Sequence, residues 1–264
     1  MSRVARAFSA TSQPRLVTYV TAGDPDLSRS ADIIRAMARG GADAIEIGVP
    51  FSDPIADGPA IQRASERALA SGTTLRRTLD LVASVRADVP VPIVLFTYVN
   101  PVLRLGTAEF LSRAADAGVD GVLLLDLPIE ESETMHAALD ERGIDQIFLV
   151  SPTTTDERLK LAGRYGRGFL YAISRLGVTG VRESVADTAA PLVERLRRTV
   201  KLPIALGFGI SRPEHVRDVT RFADAAIVGS AIVQVVADAV RNGGDPAARV
   251  ERFVAWLKGA VESP

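Results

Sequence analysis

The chain contains no cysteine, two histidines and three lysines among its 264 residues. Without cysteine there is no disulfide framework, no thiolate nucleophile and no sulfur-ligated zinc site. No apolar run approaches the roughly 18 residues that a membrane-spanning helix needs. The opening residues, MSRVARAFSATSQPR, lack the apolar core of a secretory signal, so a cytoplasmic, soluble protein is expected. Basic and acidic residues nearly cancel, 31 against 32, and no basic run occurs. That balance argues against nucleic acid or an anionic membrane as partner.

What is present is a regular alternation. The composition, 47% hydrophobic and 24% charged, is that of a globular chain. Short apolar runs rich in β-branched residues recur at residues 15–21, 43–48, 92–98, 121–126, 146–150, 168–174, 203–209 and 224–229. They are nearly continuous in apolar character, as expected of parallel strands covered on both faces. Amphipathic segments lie between them, at 28–39, 75–87, 107–117 and 188–199. Several end in glycine at the left-handed C-cap position, with the next strand starting at once. The alternation predicts an α/β fold of one domain over residues 1–264, a (β/α)8 TIM barrel. A further N-terminal helix, Val4 to Ser12, is expected across the barrel floor. A doubly wound open sheet is the alternative; no GxGxxG turn follows the first strand to favour it.

In such barrels chemistry sits at the C-terminal ends of strands. Lys160 and Lys258 fall on helices and Lys201 precedes a strand, so a Schiff-base lysine has no placement, and neither has covalent pyridoxal phosphate. His136 and His215 also fall on helices, without metal-ligand spacing, and no metal site is expected. Carboxylates, hydroxyls and backbone amides remain.

The segment IEIGVPFSDPIADGP, Ile45 to Pro59, supplies carboxylates. Alternation on the second strand turns Ala44, Glu46 and Gly48 toward the barrel axis and Ile45, Ile47 and Val49 toward the helices. Burial there favours a protonated Glu46 able to donate a proton near neutrality. Asp57, in a loop stiffened by Pro50, Pro54 and Pro59, is expected in a wetter setting and ionised. The structural alternative is an interior acid neutralised by an arginine.

Glycine-bearing turns follow the last three strands: SRLGVTG (174–180), GFGISRPEH (207–215) and VGSAIV (228–233). Ser211 with Pro213 resembles a helix N-cap followed by a first-turn proline. Loops after strands seven and eight that meet a helix N-terminus form a recurring phosphate site in these barrels. Ordinary helix starts are the alternative for each turn alone. The long sixth loop, Leu176 to Ala189, reads as a lid or as a merely long surface loop.

Together EIGVPFSDPIADGP, YVTAGDP (19–25), YVNP (98–101), SRLGVTG and GFGIS resemble, in order and over nearly the whole chain, the α subunit family of tryptophan synthase. The resemblance implies a (β/α)8 barrel that cleaves indole-3-glycerol phosphate into indole and glyceraldehyde 3-phosphate. It implies Glu46 as the acid–base group and Asp57 as the carboxylate on the indole N–H, with Thr179 of the lid hydrogen-bonded to Asp57. It puts phosphate contacts at Gly180, Gly209, Gly229 and Ser230, and the indole pocket at Tyr19, Leu123, Leu149, Tyr171 and Phe208. Tyr19 stands where phenylalanine is common in the family. The implied partner is a pyridoxal-phosphate β subunit in an α2β2 complex, meeting Pro50, Asp53 and Pro54; this chain itself would hold no cofactor. The alternatives are a stand-alone lyase releasing free indole, a barrel acting on another phosphosugar–aromatic substrate, or a non-catalytic phosphate-binding barrel that activates a partner.

Overall fold

The computed structural model describes residues 1–9, 14–173, 185–207 and 209–263, the side chains of 185–188 excepted. The first half runs α1 (Arg3–Ser9), β1 (Leu16–Thr21), α2 (Leu27–Arg39), β2 (Ala44–Gly48), α3 (Pro59–Ala70), α4 (Leu75–Val85), β3 (Ile93–Thr97), α5 (Val99–Leu105), α6 (Thr107–Asp116) and β4 (Gly121–Leu124). The second half runs α7 (Glu133–Asp140), β5 (Asp145–Val150), α8 (Asp156–Tyr165), β6 (Leu170–Ile173), α9 (Val185–Thr199), β7 (Ile204–Gly207), α10 (Pro213–Val219), β8 (Ala225–Val228), α11 (Ser230–Arg241) and α12 (Pro246–Leu257). The strands close in sequence order into a barrel, β8 returning to β1, and every pairing is parallel. The (β/α)8 architecture expected from the apolar runs is therefore the observed one, and the open sheet is excluded.

Side-chain alternation divides the core into two. Ile45, Ile47, Ile93, Leu95, Val122 and Leu124 face outward into the layer under the helices. Each such aliphatic, withdrawn from water, contributes about 1.5–3 kcal/mol. The inward set, among them Val17, Ala44, Val94, Ile147, Ala205 and Ala225, fills the interior. Helix starts follow local chemistry: the carboxylate of Asp26 accepts the Arg29 N–H at 2.8 Å, and Pro59 opens α3 after Gly58.

The floor is closed by α1. Val4 and Phe8 join the inner cluster, Phe8 stacks on Phe169 with ring centroids 4.9 Å apart, and Ser2 Oγ donates to Asp145 Oδ2. Lys258, just past α12, donates to the Pro14 carbonyl at 2.7 Å and to Asp43 Oδ2 at 2.8 Å, tying the last helix to the same end. The extra N-terminal helix thus plugs the floor and leaves the opposite mouth for chemistry.

Candidate active site

Glu46 sits at the centre of β2 with no exposed surface, and in register its Cα partner is Tyr19 on β1 and Val94 on β3. Its two carboxyl oxygens have no hydrogen-bond partner among the described residues. Among the described residues no arginine pairs with it, as a structural ion pair would require. Burial alone pushes the carboxyl up to about 8, so it is protonated at neutral pH. A buried acid without partners stays neutral rather than bear the cost of charge, and it holds a transferable proton in an apolar setting.

Asp57 departs from expectation. It is half-buried rather than wet, and burial raises its carboxyl above the ordinary value, opposed by a hydrogen bond from Tyr98. Tyr98 Oη donates to Asp57 Oδ2 at 3.0 Å and accepts the Ala56 N–H at 3.1 Å. Tyr98 is the residue that precedes α5, and the Val99 N–H behind it is held by Asp126 Oδ1 at 2.7 Å. The β2 loop is therefore fastened to the ends of β3 and β4. Gln62 adds a clasp from α3, its side-chain amide donating to the Asp57 carbonyl at 2.9 Å.

Around Glu46 lies an aromatic and aliphatic wall. Tyr19, Leu123, Leu149 and Tyr171 all belong to or pack on the inner cluster. Phe96, which sequence reading passed over, joins them: it meets Tyr19 edge-on at 5.4 Å and lies 6.3 Å from Tyr171. Its inward position on β3 follows from the same alternation that turned Glu46 inward. Desolvation, with Glu46 next in effect, pushes the Tyr171 phenol well above its usual value, so it remains a neutral donor.

At the other side of the mouth, Gly229 precedes α11, and among the described residues no side chain caps the free N–H groups of that helix. Gly209 has φ +71°, a conformation that requires glycine. The expected cap at Ser211 is corrected: Arg212 is the residue before α10, with Pro213 first in the helix, and the Ser211 N–H instead faces His215 Nδ1 at 3.3 Å. Thr179, Gly180 and Phe208, and most of the expected lid, lie outside the described residues. Of the expected interface residues, Asp53 is exposed, Pro54 half-buried and Pro50 buried. Among the described residues no group of three or more His, Cys, Asp or Glu side chains could hold a metal ion. None of their helices is long and apolar enough to cross a membrane.

Comparison with known proteins agrees along the whole chain. The family described as "Tryptophan synthase alpha chain" matches residues 6–262. The tryptophan synthase alpha chain of Geotalea uraniireducens is 47% identical, covering 100% of this chain and 99% of its own. That of Neisseria meningitidis serogroup B is 46% identical over 99% and 100% of the two chains. Among solved structures, the alpha subunit from Legionella pneumophila superposes with a TM-score of 0.90 at 33% identity, covering 99% of both chains. A chain from the Pyrococcus furiosus tryptophan synthase a2b2 complex gives a TM-score of 0.86 at 40% identity, over 93% of this chain and 98% of that one.

Proposed function

The chain belongs to the tryptophan synthase alpha chain family, carbon–carbon lyases that cleave indole-3-glycerol phosphate to indole and glyceraldehyde 3-phosphate in tryptophan biosynthesis, and on that premise we propose that Glu46 and Asp57 divide this chemistry. Glu46, neutral before reaction, protonates the indole ring at C3. The ring nitrogen takes up the positive charge, and the Asp57 carboxylate, hydrogen-bonded to the N–H, stabilises it. The side-chain hydroxyl next to the ring then gives its proton to the Glu46 carboxylate. Its oxygen becomes the aldehyde carbonyl, and the electrons of the breaking C–C bond return to the ring as neutral indole. The protonated ring is itself the electron sink, which needs no lysine and no metal.

One observation supports the assignment above the rest: a fully buried Glu46 with both oxygens unpartnered beside an aromatic wall. An acid so placed is of little use to stability and suits a site that supplies a proton. Tyr19, Leu123, Leu149, Tyr171 and Phe208 are assigned to the indole ring, with Thr179 reaching Asp57 from the lid. Gly180, Gly209, Gly229 and Ser230 are assigned to the phosphate, which the open N-terminus of α11 suits.

We further infer that the chain acts as one cytoplasmic barrel domain with a β subunit, which carries the pyridoxal phosphate and receives the indole. Pro50, Asp53 and Pro54 are assigned to that contact. Beside them a groove of about 460 Å³ is lined by apolar Pro50, Phe51, Leu69, Leu75, Pro101 and Leu105 together with polar Ser52, Thr73, Thr74, Arg76 and Arg104, and Ile55 stands 88% exposed on the same loop. A mixed surface of this kind, with an exposed isoleucine on its loop, suits burial against a partner. The test is indole release by the purified chain, with and without a matching β subunit, and by Glu46→Gln and Asp57→Asn. Each substitution is expected to cost about 10²-fold or more. Full activity in both variants sinks the carboxylate mechanism.

A further inference from the structure

The lyase mechanism leaves one pair of buried polar groups in the mouth unused, and both lie on β1. Tyr19 is 4% and Thr21 1% exposed, and their hydroxyl oxygens are 3.3 Å apart. A mutual hydrogen bond uses one of the two hydroxyl protons. The other has no acceptor among the described residues, in contrast to Thr18 on the outer face, whose hydroxyl donates to the Ala44 carbonyl. Desolvation, with the nearby Asp57 charge next in effect and the Thr21 bond opposing, pushes the Tyr19 phenol above its usual value, so it keeps its proton. A buried donor left without an acceptor is costly, which marks a place where a ligand completes the bonding.

The place of this pair in the barrel indicates which part of a ligand it meets. In the closed sheet β1 stands between β8 and β2. Glu46 is on β2, and the open N-terminus of α11 follows β8. A molecule that reaches from Glu46 to that helix has to cross the end of β1. Tyr19 spans the crossing. On one flank a Cβ at Gly48 would lie only 2.0 Å from Tyr19 Oη, so the phenol occupies the space where any larger residue would project. On the other flank a Cβ at Gly229 would come within 3.5 Å of Tyr19 Cβ. In indole-3-glycerol phosphate the part between ring and phosphate is the glycerol chain, which carries two hydroxyls.

We infer that the Tyr19–Thr21 hydroxyl pair is a specificity-determining contact for the glycerol segment of the substrate, hydrogen-bonding a chain hydroxyl as it passes from Glu46 toward Gly229. The inference rests on the lyase reading of the site. The Tyr19 ring keeps its place in the indole wall, and its hydroxyl reads the polyol.

The experiment compares two ligands that share ring and phosphate. One is indole-3-glycerol phosphate; the other is 3-(indol-3-yl)propyl phosphate, which lacks both hydroxyls. Tyr19→Phe is expected to raise KM for the first roughly tenfold, the value of one lost hydrogen bond between neutral groups, with kcat changed less. The inhibition constant of the second should stay within about twofold, because it offers no hydroxyl to read. If Tyr19→Phe folds poorly with Thr21 stranded, the double variant Tyr19→Phe/Thr21→Val removes both hydroxyls together and reads the same ratio. Equal weakening of both ligands, or no change in either, overturns the inference while leaving the lyase assignment standing. A wild-type chain that releases no indole and binds neither ligand overturns the assignment of the site, and this inference with it.

Discussion

Tyr98 Oη donates to Asp57 Oδ2 at 3.0 Å, so a side chain from the end of β3 sets where the loop acid of β2 points. The same oxygen accepts the Ala56 N–H at 3.1 Å, so the hydroxyl's proton is committed to Asp57 while its oxygen is held by the loop backbone. Asp57 is thus held from outside its own loop, and the bond also counters the upward push of burial on its carboxyl. The bond thus bears on both position and ionisation, with burial the larger influence on the carboxyl.

Tyr98→Phe should separate these effects. Loss of the bond leaves burial unopposed, so the Asp57 carboxyl rises further. The anion is the active form, so activity is lost as pH falls through its pKa, and that acid limb moves to higher pH in the variant. At the optimum kcat should drop about tenfold, in line with one misaligned transition-state contact. A pH–rate profile for indole release checks both; an unmoved acid limb contradicts the coupling.

Glu46 predicts the opposite limb. With its carboxyl at about 8, the proton-donating form dominates below that pH, and kcat/KM should fall as pH rises through about 8. Stability carries the same sign. The folded value lies above the unfolded one of 4.5, so Glu46 disfavours folding progressively from about 4.5 up to about 8, with a limiting slope of about 1.4 kcal/mol per pH unit. Glu46→Gln, neutral throughout, should therefore gain stability relative to the wild type across that window. Parallel thermal melts at pH 5 and pH 8 measure it; a constant difference between the two proteins contradicts an uncompensated buried carboxyl.

The barrel was legible because each strand is a run of aliphatics that both the interior and the helices need. The period of two put Ala44, Glu46 and Gly48 inward without further information. Tertiary approach was harder to read. Asp57 looked solvated because its cover, Tyr98, comes from 41 residues away, and no local pattern reports that distance. Ser211 looked like a cap because hydroxyl followed by proline commonly opens a helix, yet the chain turns one residue later, at Arg212. Phe96 was legible by alternation on β3 and became meaningful only once Tyr19 was known to lie against it.

The floor and the mouth should respond to mutation independently. Phe8 stacks on Phe169 at the end of the barrel away from Glu46, and α1 brings Val4 into the same cluster. Phe8→Ala should cost about 3 kcal/mol or more through the cavity it leaves. KM for the substrate should stay within about twofold, because the Phe8–Phe169 stack lies at the floor and Glu46 faces the opposite mouth. Urea denaturation and steady-state kinetics on one preparation check this, and a large rise in KM without loss of stability would contradict it.

A further clamp joins the β1 loop to the helix that follows the catalytic loop. Arg67 on α3 holds both oxygens of Asp24, Nε to Oδ1 and Nη2 to Oδ2 at 2.7 Å each. The burial is unequal: the Asp24 side chain is 2% exposed and that of Arg67 is 37%. The two ends of the pair should therefore differ in mutational cost. Arg67→Met strands a carboxylate that water cannot reach, which should cost about 3 kcal/mol, the lower end for breaking a buried pair because the guanidinium keeps part of its hydration. Asp24→Asn leaves an amide that still accepts one guanidinium bond, while the half-open arginine turns to solvent, and should cost roughly a third as much. The difference appears as unequal shifts in urea midpoint at constant m-value. Equal shifts would mean that the pair is held by its exposed partner, contrary to its burial.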